Sequence, residues 1–234
     1  MAVSFCMMYF DPMYFVYAAP GLLVGLYAQM KLSGTYRRYI REPIASGLTG
    51  AEAAREILDN AGLVNMPVNE VGGHLTDHYD PQKKALFLSS ENYRSRSIAA
   101  VGVAAHEAGH ALQHKDAYAP LNFRMMVVPA TQLASKAWVG IFMLGLILQM
   151  TGLMMTAVIL LGLVTLFQLI TLPVEFNASS RAKVQLLNLG IVQPQESPAI
   201  SKVLSAAAMT YVAGLIAAIG QLLYFLSLAR GHRN

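Results

Sequence analysis

Hydrophobic positions in this chain fall into four long unbroken runs, with mixed, locally periodic sequence between them. The runs cover about 13–30, 133–150, 153–172 and 206–229, and each is free of charge except for Lys136 in the second. A bilayer core needs about 20 apolar residues of helix, and a soluble helix of this length normally carries a polar stripe. The pattern therefore predicts four transmembrane helices. The second and third runs are separated only by Thr151 and Gly152, the shortest plausible link, and read as a transmembrane hairpin. Lys136, near the start of the second run, is placed to snorkel to the interface.

The intervening sequence has a different texture. Ser46 to Val64 carries Thr49 and Glu52 at capping-box spacing ahead of Ala53, Ile57 and Leu58, with Gly62 to end the helix. Short apolar alternations at 64–71 and 83–88, separated by Gly72, Gly73 and the polar stretch HLTDHYDP, read as two strands and a connecting turn. Residues 173–189 read as a separate helix with Pro173 at its start and Gly190 past its end, and Ser197 and Pro198 open another that continues into the fourth span. The expected fold is mainly α: a single multispanning domain over 1–234, with a small α+β part formed by 31–130 and 173–205.

Composition agrees, at 55% hydrophobic and only 13% charged residues. The net charge of +4 comes from Lys and Arg scattered beside the apolar runs, not interleaved with aromatics on one patch, so nucleic acid is not an expected partner. Lys31, Arg37, Arg38 and Arg41 follow the first run. By the positive-inside rule they place the next segment in the cytoplasm and the N-terminus outside, and Arg181, Lys183 and Lys202 agree. Arg230 and Arg233 would then lie outside, a mild violation. No basic residue precedes Lys31, so the first run reads as a retained anchor and not as a signal peptide. The lone cysteine, Cys6, excludes an internal disulfide and a cysteine-based metal site, and is expected to be inert.

The chemistry concentrates in one stretch, HEAGHALQH, from His106 to His114. Its first five residues match HExxH. Histidines four apart lie one above the other on a helix, about the separation at which two imidazoles converge on one Zn²⁺, and the intervening Glu107 is the candidate general base. The flanks are rich in alanine, and Gly109, costly inside a helix, points to close packing. For a third ligand the residues offer Glu175, Asp116 and His114. His114 is eight positions, about 12 Å, from His106 along the helix axis. Asp116 sits at a metzincin-like spacing, but Gln113 occupies the place where that pattern turns at glycine. Glu175 follows the hairpin, on the side of the membrane from which the chain departed. The loop cluster of His74, Asp77, His78, Tyr79 and Asp80 is a further candidate, for a second metal or for a transition-state donor, with His78 and Tyr79 foremost. The strand KKALFLSS, shortly before the motif, is a candidate edge for an extended substrate.

The HEAGH helix, the LTDHYDP loop and the LPVEFNAS segment after a hairpin together resemble the YugP-like neutral zinc metallopeptidases of bacterial membranes, over nearly the whole chain. More distantly the sequence is similar to the gluzincin membrane proteases of the Ste24 and HtpX kind, whose HExxH is followed by membrane spans and an ExxAD pattern. The resemblance implies a zincin-like cytoplasmic part in a bacterial inner membrane protein that hydrolyses peptides or proteins. It implies Zn²⁺ held by His106, His110 and Glu175, with Glu107 as base. Ala178 matches the small residue of ExxAD, whereas Ser179 replaces its Asp and Asn177 stands where the YugP-like sequences carry Asp. Arg181, His78 and Tyr79 are the candidates to steady an oxyanion. Two rival readings are a site-2-type intramembrane protease, for which the apolar run 98–105 is too short to bury the motif in lipid, and a non-catalytic scaffold or metal-binding module, against which the presence of Glu107 argues.

Overall fold

The computed structural model describes residues 11–231, so the readings made for Cys6 and Arg233 lie outside the described residues. In chain order the elements are α1 (Pro12–Tyr39), α2 (Gly50–Asn60), β1 (Val68–Val71), β2 (His78–Asp80), β3 (Ala85–Ser89), α3 (Ser90–Arg94), α4 (Ile98–Lys115), α5 (Ala119–Ile147), α6 (Thr151–Asn188) and α7 (Ser197–Gly231). They form two compact units, one from residues 11–28, 123–172 and 210–231, the other from 29–122 and 173–209.

Four helices, α1, α5, α6 and α7, are long and apolar enough to cross a membrane. Each runs past the apolar stretch that announced it. Lys31, Arg37 and Arg38 lie within α1 and not in a following loop, since no breaker intervenes before Pro43. The separate helix expected from Pro173 is instead the continuation of α6, with Pro173 inside it. An internal proline forfeits one backbone hydrogen bond, and membrane helices tolerate this where neighbouring helices and local adjustment satisfy the freed groups.

Within the first unit, small residues set the helix spacing. A side chain on Gly21 would strike the Ala217 backbone, 2.5 Å from its Cα, and one on Gly220 would strike the Tyr17 carbonyl, so α1 and α7 approach backbone to backbone. In the hairpin, a side chain on Gly145 would lie 2.8 Å from the amide nitrogen of Met154. Met154, Ala157 and Val158 pack there with Phe142 and Ala229, and Phe225 meets Phe142 and Trp138 edge-on at 4.7 and 5.0 Å. Leu23, Leu133 and Ile159 are 65–71% exposed. Exposed aliphatics on this scale suit lipid and not water.

In the second unit, the Thr49 hydroxyl accepts from Glu52 N–H while the Glu52 carboxylate accepts from Thr49 N–H, which completes the capping box of α2. Gly62, at φ +75°, ends the helix as Leu63 N–H reaches back to the Leu58 carbonyl. The sheet has three strands, not two, in the order β1-β3-β2. The polar stretch read as a turn contains β2. Asp80 Oδ1 accepts from the amides of Gln82 and Lys83 at 2.9 and 3.0 Å, and this turn folds His78–Asp80 back on β3 with Tyr79 opposite Leu86. A strand of His, Tyr and Asp paired on one side only has no hydrophobic alternation to betray it. On its other side β3 pairs with β1 in parallel, Val68 opposite Leu86. The KKALFLSS strand is therefore central, with both edges taken, and is no shelf for an added strand.

Helix α4 begins at Ser97, whose hydroxyl accepts from Ala100 N–H, and is buried along most of its length among Ile57, Leu58, Leu86, Leu186, Ile200 and Val203. The predicted close approach at Gly109 is to α6, where an added Cβ would lie 2.5 Å from the Ala178 carbonyl oxygen. Small residues let these two helices touch.

Helix spacing in the first unit makes a direct prediction. Gly220→Leu should lower the thermal midpoint in detergent by several degrees, an overpacking cost of about 1–3 kcal/mol, because the leucine enters space held by the Tyr17 backbone. Gly162→Leu, where nothing lies within 4 Å of an added Cβ, should leave it unchanged.

Candidate metal centre

Helix α4 projects His106 and His110 from one face, and α6 brings Glu175 to meet them. One ligand-type atom from each of these residues lies within 4.8 Å of the others, the only such group of histidine, cysteine and acidic side chains among the described residues. Glu175 Oε2 is 3.2 Å from His106 Nε2 and 3.5 Å from His110 Nε2, and the two rings meet edge to face at 4.8 Å. Glu175 is 2% exposed and His110 8%. The contact between Gly109 and Ala178 is what permits this convergence, since any larger residue at 109 would push α6 outward.

Behind each imidazole stands a hydrogen-bonding partner. His106 Nδ1 lies 3.1 Å from the Ser179 hydroxyl, the position from which a partner orients the ring. His110 Nδ1 lies 2.9 Å from Gln113 Oε1. The Gln113 amide nitrogen donates to the Val174 carbonyl at 2.7 Å and to Asn177 Oδ1 at 3.0 Å, which assigns Oε1 as acceptor and His110 Nδ1 as the protonated nitrogen. Nε2 of the same ring then faces the Glu175 carboxylate. Two imidazole nitrogens and a carboxylate oxygen face one another at this range, where a proton or a metal cation can be held between them.

The electrostatics favour positive charge at this point. Burial alone pulls the pKa of His110 down, but the hydrogen bond to Glu175 and the charges of Glu107 and Glu175 outweigh it and hold it above the ordinary histidine value. Glu107, 8% exposed, lies on the same helix, one residue after His106. Two nitrogens and a carboxylate oxygen are a donor set that suits Zn²⁺.

The other sequence candidates are arranged as follows. Asn177 Oδ1 also accepts from Arg181 Nε at 2.8 Å, and Arg181 pairs in turn with Asp116, so both belong to a chain of contacts running back from His110. Asp116 is tied to that arginine and stands outside the cluster. The Tyr79 hydroxyl lies 2.7 Å from His114 Nδ1. Burial, with help from the charge of Asp80, pushes the Tyr79 phenol up to about 12, so it stays protonated. His78 stacks on Phe87 at 4.9 Å, with Nδ1 2.9 Å from the Thr76 carbonyl. His74 pairs with Glu91, while Asp77 receives Ser89 and Asn92. The loop cluster is dispersed among separate partners and forms no second metal group among the described residues. Sequence reasoning missed Gln113 as the partner of His110. Its signal was a polar residue one turn on from His110, in a helix otherwise lined with alanine.

Comparison with known proteins bears on the whole chain. Over 217 residues it is 44% identical to the protein named "Putative membrane protease YugP" of Bacillus subtilis (strain 168), covering 93% of this chain and 96% of that one. No solved structure matches it. The profile of the family described as "Putative neutral zinc metallopeptidase" matches residues 14–230. A match of that extent, on a membrane protein with four long apolar helices and a two-histidine, one-glutamate cluster, settles the family: this chain belongs to the neutral zinc metallopeptidases so described.

Proposed function

We propose that this protein is a zinc-dependent membrane endopeptidase of the gluzincin type, with His106, His110 and Glu175 as the ligands and Glu107 as the general base. The observation that carries the reading is the cluster itself: two histidines of an HExxH helix and a buried carboxylate from a distant helix, their donor atoms within 4.8 Å. Bound there, zinc supplies a Lewis acid that polarises a peptide carbonyl and acidifies water.

The protein's own groups do the rest. Ser179 and Gln113 hold the two imidazoles with Nε2 turned toward Glu175, which prepays the orientation a metal ligand requires. Glu107 takes the proton of the attacking water and returns it to the departing amine. Asn177 and Arg181 brace Gln113 from behind, while the Tyr79 hydroxyl is engaged by His114.

The rival enzyme reading, a motif buried in lipid, fits less well: α4 is not among the four apolar helices and packs against the strands and helices of the second unit. The scaffold reading leaves Glu107 without a purpose. For orientation we propose the N-terminus outside and the second unit in the cytoplasm of a bacterial cell, supported by Lys31, Arg37, Arg38, Arg41, Arg181, Lys183 and Lys202, all of which lie in that unit.

Three outcomes test this. Glu107→Gln should retain zinc by elemental analysis and lose about 10²–10⁴-fold in peptide hydrolysis; a variant with undiminished turnover removes Glu107 from the mechanism. Glu175→Ala should cut zinc occupancy sharply while Asp116→Ala leaves it intact, and the reverse pattern transfers the third ligand to Asp116. In a Cys6→Ser background, a cysteine at exposed Ser90 should resist an impermeant maleimide in intact cells while one at Thr151 reacts. Labelling at 90 from outside overturns the orientation.

A further inference from the structure

Lys136 is not where the hydrophobic pattern placed it. Helix α5 starts at Ala119, well before the apolar run it contains, so Lys136 falls in the interior of the helix. Counting along the axis at 1.5 Å per residue, it lies 12 residues, about 18 Å, from Arg124 and 11 residues, about 17 Å, from Ile147 at the hairpin end. The other arm of the hairpin gives the same answer: the uncharged stretch 151–172 of α6 spans about 33 Å, a full hydrocarbon core, and Lys136 is half that distance from the tip. Snorkelling serves lysines near helix ends, and this one is about three turns from the end of α5 and nearly five from its start.

The side chain faces outward from the unit. Lys136 is exposed, as are Gln132 and Gly140 four residues to either side, and Ser135 beside them. Positions four apart form one line along a helix, so a polar seam of Gln132, Lys136 and Gly140 lies on a surface otherwise made of residues such as Leu133 and Leu144. An added Cβ at Gly140 would meet nothing within 4 Å. That glycine is therefore not required by packing inside the unit, yet it leaves room for another backbone to approach. Among the described residues no carboxylate pairs with Lys136.

We infer that this seam is the docking face for a transmembrane helix of another protein, which presents a carboxylate to Lys136 near the middle of the bilayer. A second copy of this chain does not meet the requirement. Of its 13 acidic residues none lies between Asp11 and Glu42, between Asp116 and Glu175, or after Glu196, so no apolar run contains one. The complementary charge comes from a different polypeptide. The inference is independent of the protease reading, since it concerns residues of the first unit alone.

The test reconstitutes the full-length protein, Cys6→Ser and labelled at Thr151→Cys, in phosphatidylcholine vesicles with synthetic Leu/Ala transmembrane peptides bearing Asp, Lys or Leu at the centre. Association is read by energy transfer. The Asp peptide should bind about tenfold more tightly than the Leu peptide, Lys136→Leu should erase that difference, and Lys136→Glu should transfer the preference to the Lys peptide. Gly140→Leu, which keeps the charge and fills the groove, should weaken the Asp peptide by a similar factor and decides the matter if the Lys136 variants do not fold. Equal binding of Asp and Leu peptides overturns the inference. So does self-association of the protein that Lys136→Leu abolishes, because the face would then belong to a second copy.

Discussion

A carboxylate that is almost wholly buried must have partners, and Glu175 finds them in the two imidazoles of α4. A lone buried carboxylate is costly enough to neutralise itself or expel the segment that carries it, so the presence of His106 and His110 within 3.2–3.5 Å is the condition for α6 to lie where it does. The condition works in reverse as well. Two imidazoles beside a buried carboxylate hold positive charge readily, as a proton or as a metal cation, so the helix pairing that builds the second unit also builds a candidate metal site.

Close backbone approach makes that pairing possible. The helix interior tolerates Gly109 at a cost of about 1 kcal/mol against alanine, and in return Ala178 can come within contact of the α4 backbone. Small residues do the same service in the first unit at Gly21 and Gly220, though for a different reason. In lipid there is little hydrophobic gain in bringing apolar helices together, so packing at short range must hold them. In the second unit, burial of Ile57, Leu58, Leu86 and Leu186 around α4 supplies an ordinary hydrophobic core that keeps the motif helix rigid.

The groups behind the two clustered imidazoles show how one role can be filled by different chemistry. An orienting partner for a ligating histidine needs only an acceptor facing the ring N–H, and a carboxylate is one means among several. Here a serine hydroxyl and a glutamine amide serve, and the glutamine is itself fixed by a main-chain carbonyl and by Asn177. Both imidazoles of the cluster thus have a partner at Nδ1 that is not a carboxylate.

Local order was legible in the sequence because it depends on spacing. Four uncharged runs, the histidine pair four apart, the Thr49–Glu52 cap and the glycine at 109 each follow from the period of a helix or the needs of its ends. What the tertiary structure decided are relations between distant positions, for which no local period exists. Glu175 meets His106 across 69 residues and Gln113 meets Val174 across 61. Strand β2 is invisible as a pattern because an edge strand of polar residues is specified by its partner, and β3 became central only when β1 paired along its far side. Lys136 moved from the start of an apolar run to the interior of a helix because α5 begins at Ala119, ahead of that run. A hydrophobic run reports where a chain avoids water, whereas the length of a helix depends on where its backbone next loses its hydrogen bonds.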